Sequence, residues 1–581
     1  MSEVTYTDVV VIGAGPAGLM TALALSRLGV GVRIVDRRLP GEVAGQADGI
    51  QPRMTEIWDS FGIGEELRRV GTHVHKTVIY KPNENGTGIT KGAETLNIAV
   101  SSTKYPFEVL APINVIEGIL LDALRKHGVV IEQPIVPFDL TLHDTCDDFP
   151  VEISLARLKK DYILSHDISQ TDRNNLPDNL DAVETTQVLR AKYLVGCDGA
   201  RSWVRKRMNI LMEGDQTEPA WGVIDFMPVT DLPSCRAKNI IQSPTAGPMG
   251  YLPRPNGTAR MYVLLKDTLP SDSLSTDEQR IVQAIESGFL PFKMKVIDVT
   301  WSSIYRVSQR VADRFSYENR VFIAGDACHT HSAKGGQGAN ASMTDACNLA
   351  WKLAYAVRGW AKPTLLSSYE DERRPYSEAL IEFDKQIFKL FSPDSISSED
   401  YEEIWRLNNM FTTGIGLRYC STLIVSGSQE LAPGLVIGER FPPGAVVRQC
   451  DWNPVDLQEL MVYDGKFKLL LFPGDIGQPM VAQRFQESVK ALVSDTIQDK
   501  LDVMEIIAVL NVPKEMDIHS VLCVLPVAHG KEDSTGEFYS EFGISSEQGV
   551  ATLVRPDGHI CMLIPLDSSA VVEAGQFLGS L

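Results

Sequence analysis

The 581-residue chain has few basic residues, no long apolar run and no closely spaced cysteine pair. Its 55 lysines and arginines stand against 75 aspartates and glutamates, which gives a net charge of −20. Because such an acidic surface does not attract nucleic acid or an anionic membrane, we expect neither as a partner. No apolar segment approaches the roughly 18–20 residues of a membrane-spanning helix. A strand pattern begins at Asp8, which leaves no room for a signal peptide, and we expect a cytoplasmic protein.

The cysteines and histidines predict neither a disulfide framework nor a metal site. The nine cysteines are scattered, odd in number and nowhere arranged as C-x-x-C, so we expect reduced thiols. His329 and His331 have the H-x-H spacing of some metal sites. No third ligand is evident from the sequence, so we predict no metal.

A nucleotide-binding motif opens the chain. An apolar strand pattern leads into Gly13-Ala14-Gly15-Pro16-Ala17-Gly18, a helix is predicted to follow, and a second strand ends at Asp36. In G-x-G-x-x-G the first glycine allows a tight turn, the second admits the pyrophosphate and the third packs helix on strand. Asp36 stands 23 residues after Gly13, near the roughly 20 expected for an acid on the ribose. The candidate cofactor contacts here are Gly13, Gly15, Ala17, Gly18 and Asp36.

Three arginines follow this motif. Arg37 and Arg38 could indicate a 2′-phosphate site for NADP, but Asp36 would repel that phosphate. We interpret both arginines as solvent-exposed residues that flank the motif, and we keep Arg37 among the candidate cofactor contacts. Arg53 opens a helix predicted over Met54–Leu67 and is a candidate phosphate contact. The alternative for Arg53 is an ordinary surface arginine.

A second ligand motif lies in the middle of the chain. An apolar strand ends in Gly325-Asp326, a glycine-rich loop follows, and a helix is predicted to open at about Asn340. This order places a carboxylate beside free backbone N–H groups, and a helix N-terminus favours negative charge. Reduced flavin, with sugar hydroxyls and an electron-rich end, is a ligand of that kind. The candidate contacts are Gly325, Asp326, Gly336, Gln337, Gly338, Ala339 and Asn340.

The segment pattern predicts an α/β protein of two or three domains. We expect a Rossmann-like FAD-binding domain over 1–390, interleaved with a β-sheet substrate domain at about 75–110 and 210–305. A helical linker over 391–430 precedes a βαβ…ββ order over 431–581, which resembles a thioredoxin-like domain. Because that domain lacks C-x-x-C, a structural or dimer-forming role is favoured. The polar stretch 165–186 is interpreted as a mobile surface insertion.

With both motifs placed, the whole chain resembles the FAD-dependent aromatic hydroxylases, the class A flavoprotein monooxygenases, and among them the phenol 2-monooxygenase type. Three segments carry the resemblance: the loop 45–51, the Asp-Gly motif over 197–205 and the Gly-Asp motif over 325–332. The resemblance implies bound FAD, transient NADPH or NADH, O₂ as co-substrate, a phenolic substrate and a homodimer. It adds Gln46 and Asp198 to the cofactor contacts. In isolation Asp198 would be a turn aspartate.

The resemblance also implies a catalytic trio of Asp48, Arg254 and Tyr262 around the phenol hydroxyl. An aromatic ring attacks a flavin C4a-hydroperoxide rapidly only if it is electron-rich, so a base or a phenolate-stabilising cation must lie at that hydroxyl. Asn256-Gly257 predicts a two-residue hairpin, in which Arg254 and Tyr262 would project from opposite faces. A wider turn or a bent Arg254 would bring the two together.

Two departures from the family pattern bear on the substrate. Ala333 stands where the family usually has Pro, and Ile113 where Gln often lies four residues before the helix glutamate Glu117. Both favour a bulkier or differently substituted phenol over phenol itself. The resemblance implies that the substrate is hydroxylated ortho to its hydroxyl.

Other reactions of the same fold stay open. They are a flavin-dependent epoxidase and a dearomatising or decarboxylating hydroxylase of a natural-product pathway. A non-enzymatic binding protein of this fold is a third alternative, against which both retained motifs, at Asp198-Gly199 and Gly325-Asp326, speak.

Overall fold

Strands and helices alternate along the described chain. The computed structural model describes residues 4–581 except 44–46, 144–146, 266–275, 333–334, 391–397, 426–427, 449–450, 493–501, 512–528, 533–536 and 568. The strands are β1 Val4–Ile12, β2 Val32–Val35, β3 Gly49–Ile50, β4 Thr72–Val74, β5 Lys76–Pro82, β6 Ile89–Leu96, β7 Glu108–Leu110, β8 Ile131–Glu132, β9 Ile135–Leu142, β10 Val151–Leu158, β11 Val183–Gly196, β12 Met212–Thr230, β13 Lys238–Ser243, β14 Gly247–Pro253, β15 Ala259–Leu265, β16 Met294–Ala312, β17 Ser316–Tyr317, β18 Val321–Ile323, β19 His329–Thr330, β20 Ala445–Arg448, β21 Pro454–Asp456, β22 Phe467–Phe472, β23 Met504–Leu510, β24 His529–Glu532, β25 Val550–Val554 and β26 Ile560–Pro565. The helices are α1 Pro16–Arg27, α2 Pro52–Ser60, α3 Gly64–Val70, α4 Ile113–Lys126, α5 Lys160–Ser165, α6 Trp203–Arg207, α7 Asp277–Gly288, α8 Gly338–Arg358, α9 Thr364–Leu390, α10 Ser398–Thr412, α11 Pro479–Leu492, α12 Glu537–Glu541 and α13 Ala570–Ser580.

The first sheet is parallel at its centre and has the order β17-β18-β11-β1-β2-β8. β1 pairs in parallel with β2 and β11, and β11 pairs in parallel with β18. These strands are apolar throughout their buried parts, as parallel strands covered on both faces must be. Their carboxyl ends therefore lie side by side at one edge, where open α/β sheets bind ligands.

The second sheet is mostly antiparallel and has the order β19-β16-β12-β15-β14-β13-β5-β6. β14 and β15 are joined through a short turn over Pro255–Gly257, in which Asn256 has φ 61°. Gly250 lies opposite Tyr262 and Leu252 opposite Arg260 in the ladder. The turn is thus wider than the predicted two-residue hairpin, and that prediction is wrong. In the actual register Arg254 and Tyr262 project from the same face.

The third sheet forms the core of the C-terminal region, in the order β21-β20-β24-β23-β22-β25-β26. β22 and β23 are parallel, whereas β25 and β26 are antiparallel, which is the expected βαβ…ββ arrangement of a thioredoxin-like domain. The domain packs directly on α8: Tyr355 Oη donates to Gly465 O and Tyr463 Oη to Cys347 O, each at 2.7 Å. The boundaries at 390 and 430 stay predictions.

Two predicted features differ in the structure. The helix predicted over Met54–Leu67 is two helices, α2 and α3, because Gly62 has φ 72° and turns the chain between them. The stretch 165–186, expected to be mobile, is anchored by Arg173, which is 3% exposed and donates to Glu42 and to the carbonyl of Arg37. Among the described helices, none is long and apolar enough to cross a lipid bilayer.

Candidate active site

The glycine-rich turn between β1 and α1 lies at the carboxyl edge of the parallel sheet. Gly13 has φ 99°, and a Cβ there would lie 2.4 Å from Cys197 O, so only glycine fits. A Cβ on Gly18 would lie 1.8 Å from Gly13 O, so α1 packs on the turn at contact distance. A Cβ on Gly15 would meet nothing within 4 Å. The turn is therefore closed towards the protein and open towards the cleft, which fits the pyrophosphate of a dinucleotide.

Asp36 is fixed at the end of β2 by backbone and side-chain donors. Its Oδ2 accepts from Ala14 N at 2.6 Å, and its Oδ1 accepts from the backbone and Nε of Arg38. Arg38 is buried and also binds Glu117 at 3.0 Å, so the prediction of a solvent-facing Arg38 is wrong. Burial raises the pKa of Glu117 to about 7, against the opposing charge of Arg38. Arg37 is half-buried.

The Gly-Asp motif lies beside this turn. Gly325 follows β18 with φ 66°, and a Cβ there would lie 2.8 Å from Ser342 Oγ and 3.0 Å from the Cβ of Ala17. The turn is thus wedged between α1 and α8 and exposes the Asp326 side chain. An exposed carboxylate at this edge suits ligand hydroxyl groups. The residues present therefore fit a flavin dinucleotide.

Histidines next to this motif have protein partners. His329 Nε2 bonds to Asp345 Oδ2 at 2.9 Å, and His331 Nδ1 bonds to Ser332 O at 2.8 Å. Among the described residues there is no group of three or more His, Cys, Asp or Glu side chains that could hold a metal ion.

The loop before α8 ties the two motifs to the loop of Asp48. Asn340 Nδ2 donates to Gly49 O and to Gly336 O, and Asn340 Oδ1 accepts from Gln51 N. Gln337 Nε2 donates to Gly335 O and Thr412 O. Gly338 and Ala339 form the first turn of α8. Gln46 and Ala333 lie outside the described residues.

Two candidate cofactor contacts bind the protein itself. Asp198 Oδ2 accepts from the backbone N–H groups of Trp203 and Val204 and so caps α6, while its Oδ1 has no partner. Arg53 binds Glu56 and donates to Asp557 O at 2.9 Å, against the C-terminal domain. The guanidinium of Arg53 thus makes a domain contact, and the phosphate contact stays a prediction.

The predicted catalytic residues converge at one buried place. Asp48 Oδ2 lies 3.8 Å from Arg254 Nε and 3.5 Å from Arg260 Nε. Burial raises the pKa of Asp48, although the charges of Arg260 and Arg254 oppose the shift. Tyr262 is buried, and desolvation raises the pKa of its phenol.

Asp225 completes this cluster. It binds Arg254 Nη1 at 2.5 Å and Arg260 at 2.6 and 2.8 Å. Burial would raise the pKa of Asp225, but hydrogen bonds and charge from Arg260 and Arg254 outweigh it and keep the carboxyl ionised. Sequence reasoning missed Asp225 and Arg260. Strand alternation could have found Arg260, two residues before Tyr262, but Asp225 is its cross-strand partner and gives no local signal.

Comparison with known proteins agrees with this site. A family model described as FAD binding domain matches residues 6–134 and 165–384, and one described as phenol hydroxylase, C-terminal dimerisation domain, matches 417–581. A phenol 2-monooxygenase, fsqG, of Aspergillus fumigatus is 33% identical, over 97% of this chain and 95% of that protein. A 3-hydroxybenzoate 4-monooxygenase of Comamonas testosteroni is 28% identical, over 98% of this chain and 94% of that protein.

Solved structures share the whole fold. The ternary complex of aklavinone-11 hydroxylase with FAD and aklavinone has a TM-score of 0.72 at 23% identity, covering 100% of this chain and 99% of that chain. The flavin-dependent monooxygenase PieE, in complex with FAD and substrate, also has a TM-score of 0.72, at 21% identity and 99% coverage of both chains. The glycine turn, the Gly-Asp motif and these matches agree, and the chain belongs to the FAD-dependent aromatic hydroxylases, a family of flavoprotein monooxygenases.

Proposed function

We propose that the protein uses NAD(P)H and O₂ to hydroxylate a phenolic aromatic substrate ortho to its hydroxyl. The proposal rests on one observation, the convergence of Asp48, Arg254 and Tyr262 in a buried cluster. The names of the Aspergillus and Comamonas relatives support a phenolic substrate. An epoxidation would need no proton acceptor or cation at a ring hydroxyl.

The FAD would lie along the carboxyl edge of the parallel sheet. The Gly13–Gly18 turn and the start of α8 would hold its phosphates through backbone N–H groups, because helix N-termini favour anions. Asp36 and Asp326 would accept hydrogen bonds from its sugar hydroxyls. When bound and reduced by NAD(P)H, FAD would activate O₂, one atom of which is transferred to the ring while the other leaves as water.

The cluster around Asp48 would activate the substrate. A carboxyl whose pKa is raised by burial can take a proton at a pH where an ordinary aspartate could not, so Asp48 is the proton acceptor. Arg254 would stabilise the phenolate charge, and Tyr262 would donate a hydrogen bond to the phenolate oxygen. A deprotonated ring is the better nucleophile, which is the form that oxygen transfer needs.

The proposed function also includes a nicotinamide cofactor and a homodimeric assembly. The sequence holds one complete dinucleotide motif, so NADPH or NADH would bind transiently over the FAD-binding domain. The match of 417–581 to a dimerisation domain supports a homodimer.

The test uses the purified full-length protein. It should be yellow, and substituted phenols should accelerate its oxidation of NADPH or NADH. A hydroxylated product should carry isotopic oxygen when labelled O₂ is supplied. A preparation that binds FAD but shows no stimulation with any phenol, and labels no product, would refute a phenolic substrate.

A further inference from the structure

Glu108 lies buried at a junction of several parts of the chain. It is 1% exposed and begins β7, which pairs with β3 and β4. Its Oε1 accepts from Gln51 Nε2 at 3.0 Å, and its Oε2 accepts from Lys238 Nζ at 3.1 Å and from Asn97 Nδ2 at 3.2 Å. One carboxylate therefore joins the start of α2, strand β13 of the second sheet and the segment that follows β6.

Two glycines allow this carboxylate to approach two loops at once. We call residues 47–51, which include Asp48, the substrate loop, and residues 335–337, which precede α8, the flavin loop. A Cβ on Gly49 of the substrate loop would lie 2.5 Å from Glu108 Oε1. A Cβ on Gly336 of the flavin loop, which has φ 62°, would lie 3.2 Å from the same atom. The carboxylate oxygen thus occupies space that a side chain on either loop would need.

The same two loops are also joined by Asn340. Its Nδ2 donates to Gly49 O and to Gly336 O, and its Oδ1 accepts from Gln51 N. Asn340 binds only backbone atoms of the loops in these contacts, whereas Glu108 connects them to the second sheet through Lys238. The position of the substrate loop relative to that sheet therefore depends on the Glu108 side chain.

Stability alone does not explain a buried ion pair at this place. The side chains of Lys238 and Glu108 are 9% and 1% exposed. The cost of removing two charges from water offsets most of their attraction, so apolar residues of similar size often give equal or greater stability. Charge-assisted hydrogen bonds do provide a short and directional contact. The pair therefore fixes the distance between β13 and β7, which carries the substrate loop as its neighbour in the sheet of β3.

We propose that Glu108 and Lys238 are positioning residues that hold the substrate loop against the flavin loop. They would thereby set the distance between the substrate hydroxyl at Asp48 and the reacting end of the cofactor. The inference rests on the proposed function, because it assumes a phenol at Asp48 and FAD along the sheet edge. Neither residue binds a member of the cluster around Asp48 in the described contacts, so their effect is on distance and not on proton transfer.

Two variants remove the junction in different ways. The double variant Glu108→Met/Lys238→Met replaces the ion pair by two apolar side chains of similar length, without leaving a buried charge unpaired. Gln51→Met removes the hydrogen bond between the substrate loop and Glu108 without changing any charge. The control is Lys352→Met, which alters another buried Lys–Glu pair, between Lys352 and Glu372 at 2.8 Å. Lys352 lies on α8 fourteen residues after Gly338, about 21 Å from the flavin loop end of that helix.

Binding provides the first measurement, and it needs no turnover. FAD is titrated into each apoprotein, and 3-methylphenol is then added to the oxidised, FAD-loaded protein. A phenol that lies next to the flavin ring should change the visible absorption spectrum of the flavin. In the double variant and in Gln51→Met we expect a nearly unchanged Kd for FAD and a smaller spectral change at saturating phenol. Lys352→Met should lower the denaturation midpoint and leave the spectral change as in the wild type.

Turnover provides the second measurement. In the double variant and in Gln51→Met, flavin reduction by NAD(P)H should stay near the wild-type rate. Oxygen transfer should slow roughly 10- to 100-fold, because a misplacement of about 1 Å can cost about 100-fold in rate. The electrons that are not used for hydroxylation should appear as hydrogen peroxide. Lys352→Met should keep the wild-type ratio of product to oxidised NAD(P)H.

The outcomes separate the inference from the function on which it rests. A wild-type spectral change together with wild-type coupling in the double variant would overturn the positioning role while phenol hydroxylation stands. Equal losses in Lys352→Met would trace the effect to general destabilisation and would overturn that role too. If the double variant does not fold, Gln51→Met decides by the same two measurements. A wild-type protein that responds neither to 3-methylphenol nor to any other phenol would remove both the inference and the proposed function.

Discussion

Asp48 Oδ2 and Arg254 Nε face each other across 3.8 Å, and neither atom has a hydrogen-bond partner. Both side chains are buried, where an unsatisfied polar atom costs about 1–3 kcal/mol. A hydroxyl group placed beside them could donate to Asp48 and accept from Arg254, which would satisfy both atoms. Asp48 and Arg254 therefore provide one acceptor and one donor for the hydroxyl group of a substrate.

Replacing the carboxylate of Asp48 tests its role as the proton acceptor. We expect Asp48→Asn to slow oxygen transfer by about 10²–10³, the usual effect of losing one positioned catalytic group. Since burial raises the pKa of Asp48, the wild-type rate should rise with pH through a value above the ordinary range of aspartate. In the variant, alkaline solution should restore activity by ionising the phenol directly. Equal pH profiles of kcat/KM for the two proteins would contradict this role.

Replacement of Asp326 should affect the cofactor and leave substrate preference unchanged. Asp326 is exposed at the sheet edge beside the glycine turn, where each charge-assisted hydrogen bond to a ligand hydroxyl contributes about 1.5–3 kcal/mol. We expect Asp326→Ala to raise the Kd for FAD at least 10-fold, measured by titrating apoprotein. Retained FAD affinity would show that the Gly-Asp motif has another task.

The C-terminal domain should contribute directly to the stability of the FAD-binding domain. Arg555 is fully buried and binds Glu372 on α9 at 2.5 and 2.9 Å, and Asp557 at 2.6 Å. Arg555→Met would take the guanidinium from two buried carboxylates and leave Glu372 bound to Lys352 at 2.8 Å. It should therefore lower the free energy of unfolding by about 3–5 kcal/mol. Arg125→Ala, in an exposed pair with Asp122, is the control and should change little. Equal denaturation midpoints for the two variants would argue against this docking contact.

The charge balance of the cluster predicts a preference among phenols. Arg254 and Arg260 carry two positive charges and Asp225 one negative charge, so with Asp48 protonated one phenolate neutralises the four side chains. A second anionic group on the ring would find no counter-charge among these four. We expect kcat/KM for 3-methylphenol to exceed that for 3-hydroxybenzoate by 10-fold or more, about 1.4 kcal/mol. The reverse order would mean that another cation reaches the substrate.

The sequence predicts the cofactor edge better than the substrate cluster, for a physical reason. Gly13 and Asp36 follow strands directly and Gly325 lies two residues after one, so local pattern alone places them at the sheet edge. Arg38 was missed as a buried group because its partner Glu117 lies 79 residues away.

The substrate cluster depends on contacts that a local pattern does not contain. Arg254 and Tyr262 share a face only because Asn256 adopts a left-handed conformation and widens the turn. Asp225 joins them through a cross-strand register that no short segment specifies. The sequence places Arg53 at the start of a helix, where an arginine is a candidate phosphate contact. Only the fold reveals that its guanidinium donates a hydrogen bond to the carbonyl of Asp557.

The coupling ratio of Tyr262→Phe, the amount of hydroxylated product formed per NAD(P)H oxidised, tests the central claim most directly. If Tyr262 serves only to stabilise the phenolate, flavin reduction should proceed at nearly the wild-type rate. The ratio should fall steeply, with the missing electrons recovered as hydrogen peroxide, because oxygen transfer loses a donor whose removal typically costs about 10²–10³ in rate. A variant with normal coupling and a normal rate of oxygen transfer would contradict the account and favour a reaction that needs no phenolate.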